Sequence, residues 1–261
     1  MKIYILGSNG MLGTYLHRYI KDSIGLTRKD IDASLITELE DTFDKIGFEE
    51  NDVIINAMGI TNKRNVSDHL FYSVNAMFPI LLSNYCSSHG LNLIHISTDC
   101  VFSGKQGGYI ESDTPDATDV YGISKCLGEK MEHTVIRTSI IGECKTSKKD
   151  LLEWVRSHKN MEIKGYYTHF WNGVTCLQLA KICKHIIKHK LYWKGVRHIF
   201  TPISVSKYAL VYMINTIYEL GNTVEAVSMD FNDKSLGSIY PGFNVTTTLY
   251  KQIKEQKEFK L

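Results

Sequence analysis

No apolar run in the 261-residue sequence is long enough to cross a bilayer. The longest, residues 208–218, is interrupted by Asn215 and falls well short of the ~20 residues that a spanning helix requires. At the amino terminus a few apolar residues run directly into Gly7, too few for a secretory signal. Charge of one sign is also scarce: 30 Lys plus Arg stand against 28 Asp plus Glu, a net +2. A chain so balanced has no global field for gripping a nucleic-acid backbone or an anionic membrane. The six cysteines (Cys86, Cys100, Cys126, Cys144, Cys176, Cys183) are scattered, with no C-x-x-C pair and no histidines at zinc spacing. That is the pattern of reduced thiols in a cytoplasmic protein, with no metal expected. No Pro- or Ser-rich linker, internal repeat or low-complexity tract is visible. What remains is ordinary globular material, 43% hydrophobic and 22% charged, suited to one large domain or a domain with a small lobe.

The apolar residues come in short strand-like blocks separated by helical periodicity. Residues 2–6 are β-branched and aromatic and predict a buried first strand, after which Leu12, Tyr15, Leu16, Tyr19 and Ile20 follow at helical spacing. A short strand is expected near 23–26, a helix over 35–46 and a strand at Val53-Ile54-Ile55-Asn56-Ala57. A long helix is predicted over 70–88, kinked at Pro79, then a strand at 93–97, a helix over 120–132 and a strand at 134–137. This alternation means an α/β fold: a doubly wound parallel sheet with helices on both faces. Beyond about residue 142 the regularity weakens, with helices expected over 151–158 and 177–190, a strand at 197–200 and a helix from 208. The cations of 181–190 fall opposite its apolar face, as on any surface helix. The chain divides on this reading into a principal domain, 1–144, and a smaller lobe, 145–261, with segments returning to the first.

Gly7, Gly10 and Gly13 lie between the first strand and the first helix. Glycine removes Cβ where a turn is tight, where backbone nears a phosphate, and where a helix presses on a strand. The helix N-terminus beyond offers unpaired N–H groups and a partial positive charge to a pyrophosphate. Dinucleotide binding is the expectation; three glycines serving a tight turn without a ligand is the alternative. The acidic residue expected at the end of the second strand is missing, and Thr27-Arg28-Lys29 stands there instead. A guanidinium there suits a 2′-phosphate, which favours NADPH over NADH, although a solvated basic loop would look the same.

Tyr121 and Lys125 are spaced i and i+4, on one helical face. A free tyrosine titrates near ~10; an ammonium beside it stabilises the phenolate and lowers that value. Thr98 ends the preceding strand, where its hydroxyl could hold a carbonyl oxygen. Ligands of parallel α/β sheets gather beyond the carboxyl ends of the strands, so Thr98, Asn56-Ala57 and the glycine turn are expected around one crevice.

With these residues in view the chain resembles the extended short-chain dehydrogenase/reductases, and among them the dTDP-4-dehydrorhamnose reductases. The matching segments are Gly7-Ser8-Asn9-Gly10-Met11-Leu12-Gly13, Leu26-Thr27-Arg28, Val53-Ile54-Ile55-Asn56-Ala57 and Val74-Asn75-Ala76. They continue with His95-Ile96-Ser97-Thr98-Asp99-Cys100-Val101-Phe102-Ser103-Gly104, the most specific piece, then Tyr121-Gly122-Ile123-Ser124-Lys125-Cys126-Leu127-Gly128-Glu129 and Arg137-Thr138-Ser139. The likeness covers roughly residues 1–142. It implies a Rossmann-type sheet with a small C-terminal substrate-binding lobe, and hydride transfer from a reduced nicotinamide to the C4 ketone of a 4-keto-6-deoxy sugar nucleotide. It implies Thr98, Tyr121 and Lys125 as the catalytic set: Thr98 orienting the ketone, Tyr121 giving the proton, Lys125 holding the nicotinamide ribose and depressing the Tyr121 pKa. The cofactor residues implied are Gly7, Ser8, Asn9, Gly10, Met11, Leu12, Arg28, Asp32, Asn56, Ala57, Met58, Asn75, Ser97, Tyr121, Lys125 and Thr138, with NADP favoured over NAD.

Departures bear on the substrate. Cys100 replaces a tyrosine usual in its segment, and Thr61-Asn62-Lys63-Arg64-Asn65 replaces an acidic stretch common after the third strand. Thr98, Asp99, Cys100, Lys63 and Trp171 are the substrate-side candidates, Trp171 as an aromatic wall. Asp99 is followed by Cys100 rather than by the glutamate that dehydratases use for elimination, which argues against that chemistry. An epimerase of the same fold and a non-catalytic NAD(P)-binding regulatory subunit are the alternatives. The expected partner is a sugar nucleotide, with no nucleic acid and no membrane; a homodimer is left open.

Overall fold

The computed structural model describes residues 1–61, 66–144, 150–240, 245–259 and 261. The first half runs β1 (Ile3–Leu6), α1 (Met11–Tyr19), β2 (Ser23–Leu26), α2 (Leu39–Ile46), β3 (Val53–Asn56), α3 (Asp68–Tyr72), α4 (Phe78–Ser88), β4 (Asn92–Thr98), α5 (Val120–Leu127) and β5 (Thr134–Thr138). The second half continues with β6 (Ile140–Ile141), α6 (Leu151–Ser157), β7 (Glu162–Tyr166), β8 (His169–Trp171), β9 (Val174–Thr175) and α7 (Cys176–His189). It ends with β10 (Gly195–His198), β11 (Val205–Ser206), α8 (Lys207–Tyr218), β12 (Thr223–Val227), β13 (Asn232–Asp233) and α9 (Leu249–Glu258).

Six strands form one parallel sheet in the order β10-β5-β4-β3-β1-β2. Burial on both faces explains why its central strands β1 and β3 read as nearly unbroken apolar blocks. Alternate residues of β1 show it: Ile5 packs with Leu12, Leu16, Leu179, Ala180 and Ile186 of α1 and α7, whereas Tyr4 and Leu6 pack with Phe43 of α2 and Phe78 and Leu82 of α4. Each such fully buried aliphatic or aromatic side chain contributes roughly 1.5–3 kcal/mol. The strand order turns back at β1, with β2 on one side and β3 to β5 on the other, so the carboxyl ends of β1 and β3 open the crevice where such sheets take ligands.

The six sheet strands coincide with the predicted ones, except that β10 begins two residues earlier than expected. The helix predicted over 70–88 is instead α3 and α4 joined by a wide π turn, Ser73–Met77, with Pro79 in the first turn of α4, where its missing N–H costs nothing. The helix predicted to reach 132 ends at Leu127, and its cap, Gly128, packs on that turn: a Cβ there would lie 2.1 Å from the Asn75 carbonyl oxygen.

The rest of the chain builds a second core from α6, α8 and α9, including Leu152, Val155, Leu210, Ile214, Leu249 and Ile253. Two small sheets flank it, β11-β8-β13 and β12-β7. A strap near β13 ties this lobe to the loop after β4. Asp233 N–H donates to the Gly104 carbonyl (2.7 Å), Tyr109 N–H to that of Ser235 (2.9 Å), and Gly237 N–H to that of Tyr109 (2.7 Å). Asn172 clamps the same strap, its amide bonding both Leu236 N–H and C=O at 2.8 Å. Among the described residues no helix is long and apolar enough to cross a membrane, and no three His, Cys, Asp or Glu side chains cluster as for a metal ion.

Candidate active site

The glycine turn sits at the switch point. Gly7 has φ +78°, a left-handed conformation that suits glycine, and the N–H groups of Gly7 and Ser8 donate to the Leu26 carbonyl at 2.9 and 3.0 Å. A Cβ on Gly13 would lie 2.0 Å from the Gly7 carbonyl oxygen, so helix-on-turn packing alone accounts for that glycine. The start of α1 is different. Its cap, Gly10, makes no side-chain hydrogen bond, and its first turn carries no acid. An anion is the natural complement to such an uncapped N-terminus. Asn9 and Gly10 are exposed there and Met11 is half-buried, whereas Leu12 belongs to the core and the Ser8 hydroxyl is turned to the Leu26 carbonyl (3.2 Å). Met58 closes over the turn, its Cγ 3.0 Å from where a Gly7 Cβ would sit.

At the end of β2, Arg28 Nε donates to Asp32 (3.1 Å) and the arginine is otherwise 70% exposed. Asp32, a candidate for approaching an adenine, is engaged in its own loop by Ser34 N–H (3.0 Å) and Ser34 hydroxyl (2.6 Å) as well as by Arg28. These donors hold its carboxyl below the ordinary range despite partial burial.

Several polar candidates read as groove-lining are instead committed inside the protein. Asn56 is fully buried, with Nδ2 3.1 Å from His95 Nδ1 and Oδ1 accepting Met58 N–H (3.1 Å). Asn75 clamps both backbone groups of Ile60 at 2.9 Å and reaches the Ser124 hydroxyl at 3.2 Å. Thr138 gives its hydroxyl to the Ile199 carbonyl (2.6 Å), and Ser97 gives its own to Glu129. Each fixes a strand end or the loop beyond it. Ala57, half-buried, continues the β1–β3 pairing through its N–H to the Leu6 carbonyl (3.1 Å).

Thr98, Tyr121 and Lys125 are brought together by a close helix approach. Asp119 caps α5 by accepting the Gly122 N–H (2.9 Å), and Gly122 lies so near the turn after β4 that a Cβ would sit 2.3 Å from the Cys100 carbonyl oxygen. This sets the Tyr121 phenol beside the Thr98 hydroxyl. Thr98 also accepts the Cys100 N–H at 3.1 Å, which aims its side chain. Lys125 is buried and donates from Nζ to the Ile96 carbonyl at 2.8 Å.

The expected depression of the Tyr121 pKa by Lys125 is not found. Burial pushes the phenol well above its ordinary value, with the Cys100 thiol, Asp99 and Asp119 adding to the effect, and only the Thr98 hydrogen bond acts against it. Lys125 is itself brought down to about 8 by burial, with Glu129 opposing. Desolvation is the largest cause at both groups, and it leaves the phenol protonated, as a proton donor must be.

Around this pair lie the substrate-side candidates Asp99 and Cys100, joined by two lysines, Lys207 and Lys234, that the sequence did not single out. Asp99 is buried, and burial raises its pKa against the pull of Lys207 and Lys234 and of hydrogen bonds from Ser139 and Thr98. Both lysines come from the lobe, Lys207 at the head of α8 and Lys234 on the strap. Cys100 is half-buried beside Asp99, its thiol pushed up to about 12 mainly by burial. Trp171 is a correction: at 3% exposure it belongs to the lobe core, with the Lys207 ammonium 5.3 Å from its ring centre, and forms no open wall. Lys63 and its neighbour Arg64 fall outside the described residues. A cavity of about 240 Å³ lies elsewhere, at the β10 edge, lined by Arg197, His198, Ser238 and Tyr240 among others, and it includes neither the triad nor the glycine turn.

The parallel sheet, its order and the glycine turn at its switch point define a Rossmann-type α/β protein. The family model described as the RmlD substrate binding domain matches residues 1–235, and the chain belongs to that family. It is 30% identical over 151 residues to the spore coat polysaccharide biosynthesis protein SpsK of Bacillus subtilis, covering 53% of this chain and 52% of that protein. It is 32% identical over 148 residues to a dTDP-4-dehydrorhamnose reductase of Aggregatibacter actinomycetemcomitans, covering 54% of this chain and 49% of that one. The chain thus spans about half the length of the curated relatives it matches. Among solved structures, a dTDP-4-dehydrorhamnose reductase from Clostridium acetobutylicum superposes with a TM-score of 0.82 at 22% identity, covering 99% of each chain. The one from Bacillus anthracis, in complex with NADP, does so with a TM-score of 0.83 at 21% identity, covering 98% of each.

Proposed function

We propose that this chain is an NADPH-dependent reductase of the 4-keto group of a nucleotide-activated 4-keto-6-deoxy sugar. The observation that carries the reading is the close approach of α5 to the turn after β4, which brings Tyr121 beside Thr98 at the same sheet edge as the uncapped N-terminus of α1. The names of the relatives, dTDP-4-dehydrorhamnose reductases among them, and the NADP in the Bacillus anthracis structure support it.

The fit of a dinucleotide rests on that helix end: no side chain caps it, no acid repels an anion from it, and a glycine approaches without Cβ. Gly10 and Met11 would take the pyrophosphate, Arg28 the 2′-phosphate and Lys125 the nicotinamide ribose. The bound nicotinamide would supply the hydride. The protein's own contributions are then a Thr98 hydroxyl that orients the ketone oxygen, and a Tyr121 phenol that holds a proton at that oxygen until negative charge develops there. Arg28 is paired with Asp32 in this structure, so a 2′-phosphate would compete with an exposed ion pair worth at most about 1 kcal/mol. Asp99, with Lys207 and Lys234 nearby, belongs to the sugar-nucleotide side in this reading, within a cytoplasmic enzyme.

Mixing the chain with NADPH and a dTDP-4-keto-6-deoxy sugar should consume the reduced-nicotinamide absorbance in step with loss of the keto sugar. Saturable NADPH binding without turnover across a panel of keto-sugar nucleotides would favour a regulatory subunit. Tightly held cofactor with sugar interconversion would favour an epimerase.

A further inference from the structure

Behind Tyr121 and Lys125 runs a buried polar chain that the reaction above does not use. Glu129, in the turn after α5, accepts the Ser97 hydroxyl, and Arg137 of β5 closes a fork on the same carboxylate, Nε at 3.0 Å and Nη2 at 2.6 Å. The two ionised side chains are 4% and 5% exposed. Arg137 Nη1 lies 3.0 Å from His198 Nε2, and His198 Nδ1 lies 2.8 Å from the Gly237 carbonyl. His198 therefore donates through Nδ1, accepts at Nε2 and carries no charge, in keeping with burial and Arg137 lowering its pKa.

A buried ion pair of this kind is weak evidence of stability, because desolvation consumes most of its attraction. Its placement is more informative. Consecutive residues of β4 grip opposite charges: the Ile96 carbonyl takes Lys125 Nζ, and the Ser97 hydroxyl holds the Glu129 carboxylate. We infer that Glu129 is a positioning residue for Lys125: Ser97 and Arg137 lock its carboxylate at the residue of β4 next to the carbonyl that takes the Lys125 ammonium, one helical turn beyond the lysine in sequence. The inference rests on the reading of Lys125 as a cofactor-holding residue.

The other titratable groups facing Lys125 supply no such charge. On β4, His95 has an acceptor at Nδ1 if the Asn56 amide is its donor, because Asn56 Oδ1 is occupied by Met58 N–H; burial and Lys125 together keep that imidazole neutral. On its own helix, Tyr121 is held protonated one turn away. Among the described residues, Glu129 is the charged neighbour that favours the charged form of Lys125.

The test is NADPH affinity of the full chain against pH, read by quenching of tryptophan fluorescence, with kcat/KM measured in parallel. Wild type should bind more weakly as pH rises through about 8, where Lys125 loses its proton. Glu129→Gln should move that fall toward neutrality by about one pH unit, about fivefold weaker binding at pH 8. Because Glu129→Gln strands Arg137, Glu129→Gln/Arg137→Met provides a variant with neither charge, expected to fold and to keep the shifted profile. Folded variants with the wild-type pH profile would assign the pair to the fold and overturn the inference, as would a double variant that does not fold. A wild type that binds NADPH but reduces no keto sugar would sink the reductase reading while leaving this test intact, since the shift is read in the binding curve.

Discussion

A lysine buried against a backbone carbonyl gives up its proton more easily than one in water, and that fixes the pH behaviour of the site. With Lys125 near 8, kcat/KM should fall as pH rises past that value, measurable as an alkaline limb in the rate profile. The same shift acts on stability with the opposite sign. Between about 8 and the ordinary lysine value the unfolded chain binds a proton that the native chain does not, so this group's contribution to unfolding free energy rises with pH across that window. Tyr121→Phe should remove the proton donor, lowering kcat on the order of a hundredfold or more while leaving NADPH affinity nearly intact. Lys125→Ala should damage both. Isotherms and steady-state rates on the same preparations distinguish the two. At this scale the sequence was readable where a residue's type dictates its chemistry, as for Tyr121, and unreadable where a partner decides its use. Asn56, Ser97 and Thr138 have the side chains of ligand-binding residues and spend them on His95, Glu129 and the Ile199 carbonyl, partners 39, 32 and 61 residues away.

Two glycines do different work for their elements. Gly13 lets α1 lie on the turn, and Gly122 lets α5 close on the turn after β4. Gly13→Ala is expected to act on the fold, destabilising by roughly 1–3 kcal/mol and lowering Tm by about 2–4 °C for each kcal/mol. Gly122→Ala should carry Tyr121 away from Thr98, so that turnover falls by more than thermal stability explains; melting curves paired with kcat would expose the difference. The central strands β1 and β3 could be read from sequence because burial on both faces leaves each a nearly continuous apolar block, whereas the edge strands β2 and β10 are partly exposed and carry a weaker signal. The lobe strands could not. β11 and β13 are two residues long, and β13 pairs with residues of β8 more than sixty positions earlier, so no local period betrays them. The π turn before Pro79 was hidden for another reason: it keeps helical dihedrals, and only its packing against Gly128 marks it.

For the whole molecule, the strap makes the lobe part of one body with the sheet. Asn172→Ala would leave the buried backbone groups of Leu236 without their amide partner, a cost of about 1–3 kcal/mol for each group left unpaired. Lys234 and its neighbours would then lose their place beside Asp99. The expected result is a higher KM for the sugar nucleotide with little change in NADPH affinity, because the glycine turn is built by β1 and α1 and not by the strap. The sheet itself draws on the late part of the chain: β10 supplies its outer strand against β5, and α7 covers the face of α1. A ribosome that has made only the first 144 residues has therefore joined Thr98, Tyr121 and Lys125 into the chain but neither the strand that seals β5 nor the helix that shields Ile5, Ile55 and Ile94 from water. The nascent half must wait, sticky along one flank, until residue 198 has emerged from the exit tunnel, and only then can it close.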